Sequence, residues 1–224
     1  MDWQALNLSL LLGLWTAAIL IPITVLIARA LAWNRFTGRS MVQALLALPL
    51  LLPPTVLGFY LLTAVGNNST VGRLYTELTG GGTLVFSFQG LLLASLIFNL
   101  PFALQPIQRA FEAIPISIRE AAWCSGLSNW QTFWRMELPL AWQGVLSALI
   151  LTFAHTLGEF GVVLMVGGNI PGETRTIAIA IYDRVQAFDN HSAGVMSAVL
   201  LTIAFVSISL LYILNDKFTR RHVQ

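Results

Sequence analysis

Charge is what this 224-residue chain has least of: only 10% of its residues are Asp, Glu, Lys or Arg, and 56% are hydrophobic. A water-facing globule carries about 25% charge, so this chain has too little polar surface to fold as one, and lipid is the alternative solvent. There is one cysteine, Cys124, which excludes an internal disulfide and a thiolate-bound metal cluster. The three histidines, His155, His191 and His222, are far apart, and none stands in an H-E-x-x-H spacing. No Ser/His/Asp or Cys/His arrangement occurs. The run Gly80-Gly81-Gly82-Thr83 lacks the lysine and spacing of a phosphate loop. The N-terminus, Met1-Asp2-Trp3-Gln4, has no basic region, and the apolar stretch after it ends at Arg29 without a small-residue cleavage site, so it reads as a retained first helix.

What the chain does have is long apolar runs. Five stand out, at about 8–28, 41–65, 84–104, 138–166 and 195–214. Each reaches the ~20 residues a helix needs to cross the hydrocarbon core. Continuous rather than alternating hydrophobicity excludes a closed β-barrel. The expected fold is therefore an all-α integral membrane bundle of five transmembrane helices, one domain over 1–224. A sixth span would require the short run 174–185, which reads instead as an amphipathic or re-entrant piece. With five spans, one set of flanks holds Arg29, Arg35, Arg39, Arg109, Arg119, Arg135, Lys217, Arg220 and Arg221, the other only Arg73, Arg175 and Arg184. The richer side is predicted to be cytoplasmic, with the N-terminus outside and the C-terminus inside. Pro22, Pro49, Pro53, Pro54 and Pro101 fall within spans. The cluster Pro49, Pro53 and Pro54 predicts a bent or broken second span, either a pathway-lining or gating element or a packing kink.

The segment at about 106–139 is the longest predicted cytoplasmic loop. Ser117-Ile118-Arg119-Glu120 and Ser128-Asn129-Trp130-Gln131 both have the capping-box pattern, and Gly126 between them fits the left-handed position that ends a helix. The loop is thus expected to fold as helix, glycine turn and helix, the second stopping before Leu138-Pro139. Trp130, Phe133 and Trp134 share one face at helical spacing, with Ala121 and Ala122 as a small smooth patch beside Glu120. That surface reads either as a docking site for another protein or as aromatic anchors in the membrane interface.

Glu120-Ala121-Ala122, three residues, Gly126, nine residues, then Met136-Glu137-Leu138-Pro139 resembles the EAA loop of ABC-importer permeases, E-A-A-x3-G-x9-I-x-L-P, with Met136 in place of the usual isoleucine. Two further stretches, Leu48 to Gly58 and Leu157-Gly158-Glu159-Phe160-Gly161 with Gly168-Asn169-Ile170-Pro171-Gly172-Glu173-Thr174-Arg175-Thr176-Ile177, resemble the molybdate branch of the molybdate/sulfate/tungstate group of these permeases. The resemblance covers almost the whole chain. It implies a type I importer permease for molybdate, with tungstate or sulfate/thiosulfate as the alternative cargo. It also implies that Glu120, Ala121, Ala122, Gly126, Leu138 and Pro139 belong to a coupling loop that sits on a cytoplasmic ATPase subunit. Two copies of that subunit would bind ATP and magnesium, and this chain no cofactor. An external binding protein would deliver the anion. Five helices barely enclose a path for a tetrahedral dianion, which predicts a two-fold homodimer.

Within the spans, Glu159 and His155 lie four apart on one helix face, as a pathway or gate element or as a structural pair. Thr152, Thr156 and Ser147 share that helix and read either as pathway lining or as helix–helix hydrogen bonding. Pro53, Pro54, Thr152 and Glu159 are the candidate pathway or gate residues. Arg175 at the outer mouth would attract oxyanions or pair locally. A secondary transporter would need inverted repeats and midplane ion ligands, and neither is evident. A membrane-embedded enzyme would have only His155 with Glu159 to work with.

Overall fold

In the computed structural model, residues 1–221 are described, with side chains through Ile213. Lys217, Arg220 and Arg221, three of the cations counted for the inner flanks, and His222 lie outside those side chains. The first apolar run forms α1 (Trp3–Trp33), started by Asp2, whose carboxylate accepts from the Ala5 N–H at 3.0 Å. At 31 residues it is long enough to cross a bilayer with turns to spare.

The second run does not cross as one straight helix. It forms α2 (Arg39–Leu51) and α3 (Pro54–Val65), bent by 110° at the break between them. The cause is local. A proline disfavours the helical region for the residue before it, and here Pro53 acts on Leu52 and Pro54 on Pro53. Both take extended ψ, 139° at Leu52 and 135° at Pro53. Pro54 then opens α3, where its missing donor costs nothing. Pro49, by contrast, sits inside α2.

A short helix, α4 (Thr70–Thr79), follows, and then α5 (Phe88–Glu112), capped by Ser87. The third apolar run therefore becomes helical later than expected, at Phe88. The segment after α5 forms α6 (Ile116–Cys124), α7 (Asn129–Thr132) and a π-helical turn at Phe133–Glu137, continuous with α8 (Leu138–Leu157). The fourth apolar run is interrupted at Gly158–Phe160, and its remainder is the separate short helix α9 (Gly161–Gly167). Residues of the run at 174–185 form α10 (Ile177–Gln186), ten residues long and so about 15 Å, too short to span. Its first N–H donates to Ser9 Oγ of α1 at 2.8 Å. The last helix is α11 (Asn190–Arg221). Among the described residues, four helical stretches are long and apolar enough to cross a membrane, five counting the bent pair.

The core is the bundle of α1, α5 and α8. Val25, Ala28 and Leu31 of α1 meet Leu104, Ile107 and Phe111 of α5 and Ala141 and Ala148 of α8. Lipid offers no hydrophobic gain for such packing, so close backbone approach supplies it, through small residues. Gly144 on α8 is the tightest case: a Cβ there would lie 2.6 Å from the Pro106 carbonyl oxygen of α5 and collide with Ala110. Little covers α11, of whose most apolar stretch only 6% is buried.

Gly144→Val should weaken the α5–α8 contact by about 1–3 kcal/mol, the usual cost of overpacking. Thermal unfolding of the detergent-solubilised chain checks this, with Gly194→Ala as control, since nothing lies within 4 Å of a Cβ at Gly194. Equal melting temperatures for the two variants would contradict the packing argument.

Candidate functional site

The loop between α5 and α8 holds its expected shape with three local differences. The helix α6 starts at Ile116 with Pro115 as its N-cap and no side-chain cap. Ser117 therefore lies inside the helix and its capping box with Glu120 does not form. Proline at φ −59° sets the entry two residues earlier, and the Ile118 N–H bonds to the Pro115 carbonyl at 3.1 Å. The end of α6 agrees with the sequence: Gly126 has φ +82° and donates to the Trp123 carbonyl, and Leu127 donates to that of Ala122. That pair of bonds is a Schellman motif. The second capping box also forms, the Gln131 N–H donating to Ser128 Oγ at 3.3 Å and the Ser128 N–H to Gln131 Oε1 at 2.9 Å.

The second helix does not stop before Leu138-Pro139. It runs through the π-helical turn, in which the Leu138 N–H reaches back to the Phe133 carbonyl, and Pro139 occupies the first turn of α8. A widened turn tolerates a proline that would otherwise leave an acceptor unmatched. Trp130, Phe133 and Trp134 do cluster as the spacing predicts, with ring centres 5.0 to 5.6 Å apart, but only the two tryptophans reach the surface. Trp130 and Trp134 are 58% and 51% exposed, while Phe133 is buried against Phe111. The alanine patch is divided in the same way: Glu120, Ala121, Gly126 and Pro139 are exposed, Leu138 is half-buried, and Ala122 faces the interior.

At the root of the loop lies Glu137, with no exposed side-chain surface. Its carboxylate accepts from Arg29 Nε of α1 at 2.5 Å and from Arg119 Nε of α6 at 2.7 Å. A second Arg29 nitrogen reaches Glu137 Oε1 and the Asn129 carbonyl, each at 3.3 Å. The Arg119 guanidinium lies over the rings of Trp33 and Trp123, 4.2 and 4.8 Å from their centres, and that of Arg29 lies 5.1 Å from Phe133. Sequence reasoning used Arg29 and Arg119 only to orient the chain and Glu137 only as part of the motif match. A carboxylate at the mouth of an apolar run was the signal available, since it has to find a partner there.

Above the loop, α5 borders three hollows in succession. The first, about 610 Å³, lies between Pro54 and Thr55 of α3, Phe98, and the α8–α9 break at His155 and Glu159. The second, about 130 Å³, is walled by Leu50, Pro101, Phe102, Gln105 and Leu151. The third, about 350 Å³, shares Pro101 and Gln105 and ends at Gln43, Gln108, Arg109 and Glu112. The two interrupted spans thus meet, Pro54 against Gly161, where a Cβ would come within 2.9 Å of the proline ring. Glu159 is buried and accepts from Ser95 Oγ at 2.5 Å and from the Asn99 amide. Asn99 Oδ1 lies 2.9 Å from His155 Nδ1, and the His155 ring stacks on Phe102 at 3.9 Å. His155 and Glu159 do approach, at 3.9 Å, with Asn99 bonded to both. Thr152 is fully buried and lines none of these hollows. Pro53 is exposed and is not among their lining residues either. Arg175 is engaged by Asn169 at 2.6 Å and approaches Asp183 at 3.7 Å, so it is tied to its own loop and α10.

Broken spans around a mainly apolar hollow that holds one buried carboxylate, a helix–turn–helix loop rooted on another, and apolar helices throughout are the marks of a membrane transport subunit. The chain belongs to the family described as binding-protein-dependent transport system inner membrane component, which matches residues 6–222. It is 44% identical to the molybdenum transport system permease protein ModB of Azotobacter vinelandii, over 94% of this chain and 93% of that one. It is 36% identical to the ModB of Escherichia coli (strain K12), over 94% and 91%. A "Probable sulfate transport system permease protein cysT" of Chlorella vulgaris is 33% identical over 79% of this chain and 66% of its own length. The fold matches a bacterial ABC transporter involved in import of the polysaccharide alginate, with TM-score 0.73 at 17% identity, covering 97% of this chain and 78% of that one.

Glu137→Ala should cost about 2–4 kcal/mol, because it leaves the buried Arg119 and the half-buried Arg29 without their shared carboxylate. Replacing the cluster as a unit, Arg29→Met with Arg119→Met and Glu137→Leu, should recover most of that loss. Thermal unfolding in detergent measures both. A Glu137→Ala chain as stable as wild type would show that the cluster carries no structural weight.

Proposed function

We propose that the chain is the permease subunit through which an ABC importer carries molybdate across the cytoplasmic membrane, a transporter component with no reaction of its own. One observation carries the reading: a glycine-ended helix–turn–helix of EAA type, locked by Glu137 to α1 and α8, stands at the end of a series of hollows that runs along α5 from the two broken spans. The cargo follows from the likeness to ModB permeases. Sulfate is the second reading, which the likeness to cysT supports. The single membrane unit spans 1–224, with the N-terminus outside and the loop at about 106–139 in the cytoplasm. Two copies pair about a two-fold axis, each meeting one ATPase subunit that binds ATP and magnesium, while an external binding protein delivers the anion. Exposed Trp130 and Trp134 and exposed Glu120 and Ala121 are the surface offered to the ATPase. A rigid loop transmits force because Arg29, Arg119 and Glu137 tie it to two spans.

Reconstitution of the chain with its ATPase and binding protein in liposomes tests this, with molybdate, tungstate and sulfate supplied separately. ATP-dependent molybdate accumulation is expected, and uptake that followed an ion gradient without ATP would overturn the assignment. Within that assay, Gly126→Val should reduce uptake about tenfold or more while membrane insertion stays normal. A coupling contact is worth ~1–3 kcal/mol, and a β-branched residue at φ +82° is strained by a similar amount. Gly126→Asn should retain most uptake, since asparagine tolerates the left-handed region and a Cβ at that position meets nothing. Equal activity of the two variants would detach the turn from coupling.

A further inference from the structure

The third hollow holds more chemistry than a passive end to a path requires. On α5, Pro101, Gln105, Gln108 and Glu112 recur at helical spacing and form one stripe, with Arg109 beside it. Neighbouring positions Ala103, Ile107 and Phe111 are fully buried against α1 and α8. Gln105, Gln108, Arg109 and Glu112 thus form a polar edge at the loop end of α5, on the side turned away from the packed core. Here they face a hollow of about 350 Å³, whose opposite wall is α2 with Gln43.

Its donors are unspent. The side chains of Gln43, Gln105 and Arg109 make no hydrogen bond or ion pair among the described residues. The one carboxylate in the wall, Glu112, is engaged by Arg39 at 3.1 Å and by Gln108 at 2.8 Å. With Arg39 counted against Glu112, the wall is left with the positive charge of Arg109. The far hollow differs, since its wall holds the carboxylate of Glu159 together with His155.

We propose that Gln43, Gln105 and Arg109 form a transit site for a tetrahedral oxyanion dianion at the α6 end of the hollow series; this rests on the oxyanion-permease reading above. A guanidinium presents paired N–H groups that match two oxygens of such an anion, amide N–H groups add further donors, and the one carboxylate in the wall, Glu112, is held by Arg39 and Gln108. The hollow has room for the anion with part of its hydration, as a site that must release its ion requires. The donors also come from two elements, Gln43 from α2, the first half of the broken span, and Gln105 and Arg109 from α5. Movement of α2 relative to α5 would assemble or disperse the site.

The test uses the complete transporter in liposomes. Arg109→Gln should lower molybdate and sulfate uptake at least severalfold, and Arg109→Lys should recover part of the transport. For direct occupancy, a cysteine at Ala47→Cys, which lines the hollow, is alkylated with a polar maleimide in a Cys124→Ser background. Millimolar molybdate or sulfate should slow the labelling severalfold and chloride should not, and Arg109→Gln should abolish the protection. Unchanged uptake in Arg109→Gln, or labelling insensitive to oxyanions, would overturn the site while leaving the permease assignment standing. A wild-type complex that transported neither molybdate, tungstate nor sulfate would remove the assignment and the site together.

Discussion

A carboxylate with no exposed surface, held between two arginines, is the constraint on which the lower half of this molecule depends. Burying Glu137 alone would cost several kcal/mol, and the cost is offset only while both guanidinium groups stay in place. Those groups come from different elements, Arg29 from α1 and Arg119 from α6, and Glu137 itself leads into α8. Separating any one of the three strands a charge. The short helices of the loop therefore cannot shift independently of α1 and α8, and the loop and two spans behave as one body. The π-helical turn belongs to the same arrangement, since it places Glu137 inward while leaving Trp130 and Trp134 outward.

The upper half obeys a different rule. Helices that break inside a membrane free backbone polar groups, and such breaks survive only where they are covered by protein or border a cavity. This chain has two, at Leu52-Pro53 and at Gly158–Phe160, and they converge on the same hollow beside Pro54 and Gly161. Tandem prolines impose the first break by sterics. The second carries Glu159, which Ser95 and Asn99 reach from α5. Each break supplies part of the wall that makes the other tolerable.

Local rules read well from the sequence and long-range pairings did not. Apolar run length located the spans, the Pro53-Pro54 pair located the bend, and Gly126 with Ser128 located the turn and the second cap, because each depends on residues within one helical turn. Ser117 failed as a cap because Pro115, equally local, competes for the same position. Trp130, Phe133 and Trp134 cluster as their helical spacing predicts, but the spacing could not show that Phe133 turns inward onto Phe111, which lies on another helix. The Arg29–Glu137 pair, 108 residues apart, follows from no periodicity at all. It exists because the α1–α8 packing brings two apolar helix ends together, each carrying a charge. Glu159 was recognisable as an unusual residue, but its partners on α5 were not, for the same reason.

The hollows along α5 are open on one side, and α11 leaves most of its apolar surface uncovered. These two facts bear on how such a chain moves an anion. A dianion inside a bilayer gains from fixed donors only where bulk water and lipid are both kept away, because low dielectric strengthens the attraction and leaves any unpaired charge costly. One copy of this chain provides donors, a hinge and a push-rod, yet only half a wall. Closing the other side with a second copy would bring two hollow series face to face, and each loop would then drive its own half of the enclosure. The tandem prolines fix the sharp angle between α2 and α3, and the Glu137 cluster fixes the loop against α1 and α8, so both ends of the hollow series are set by local constraints.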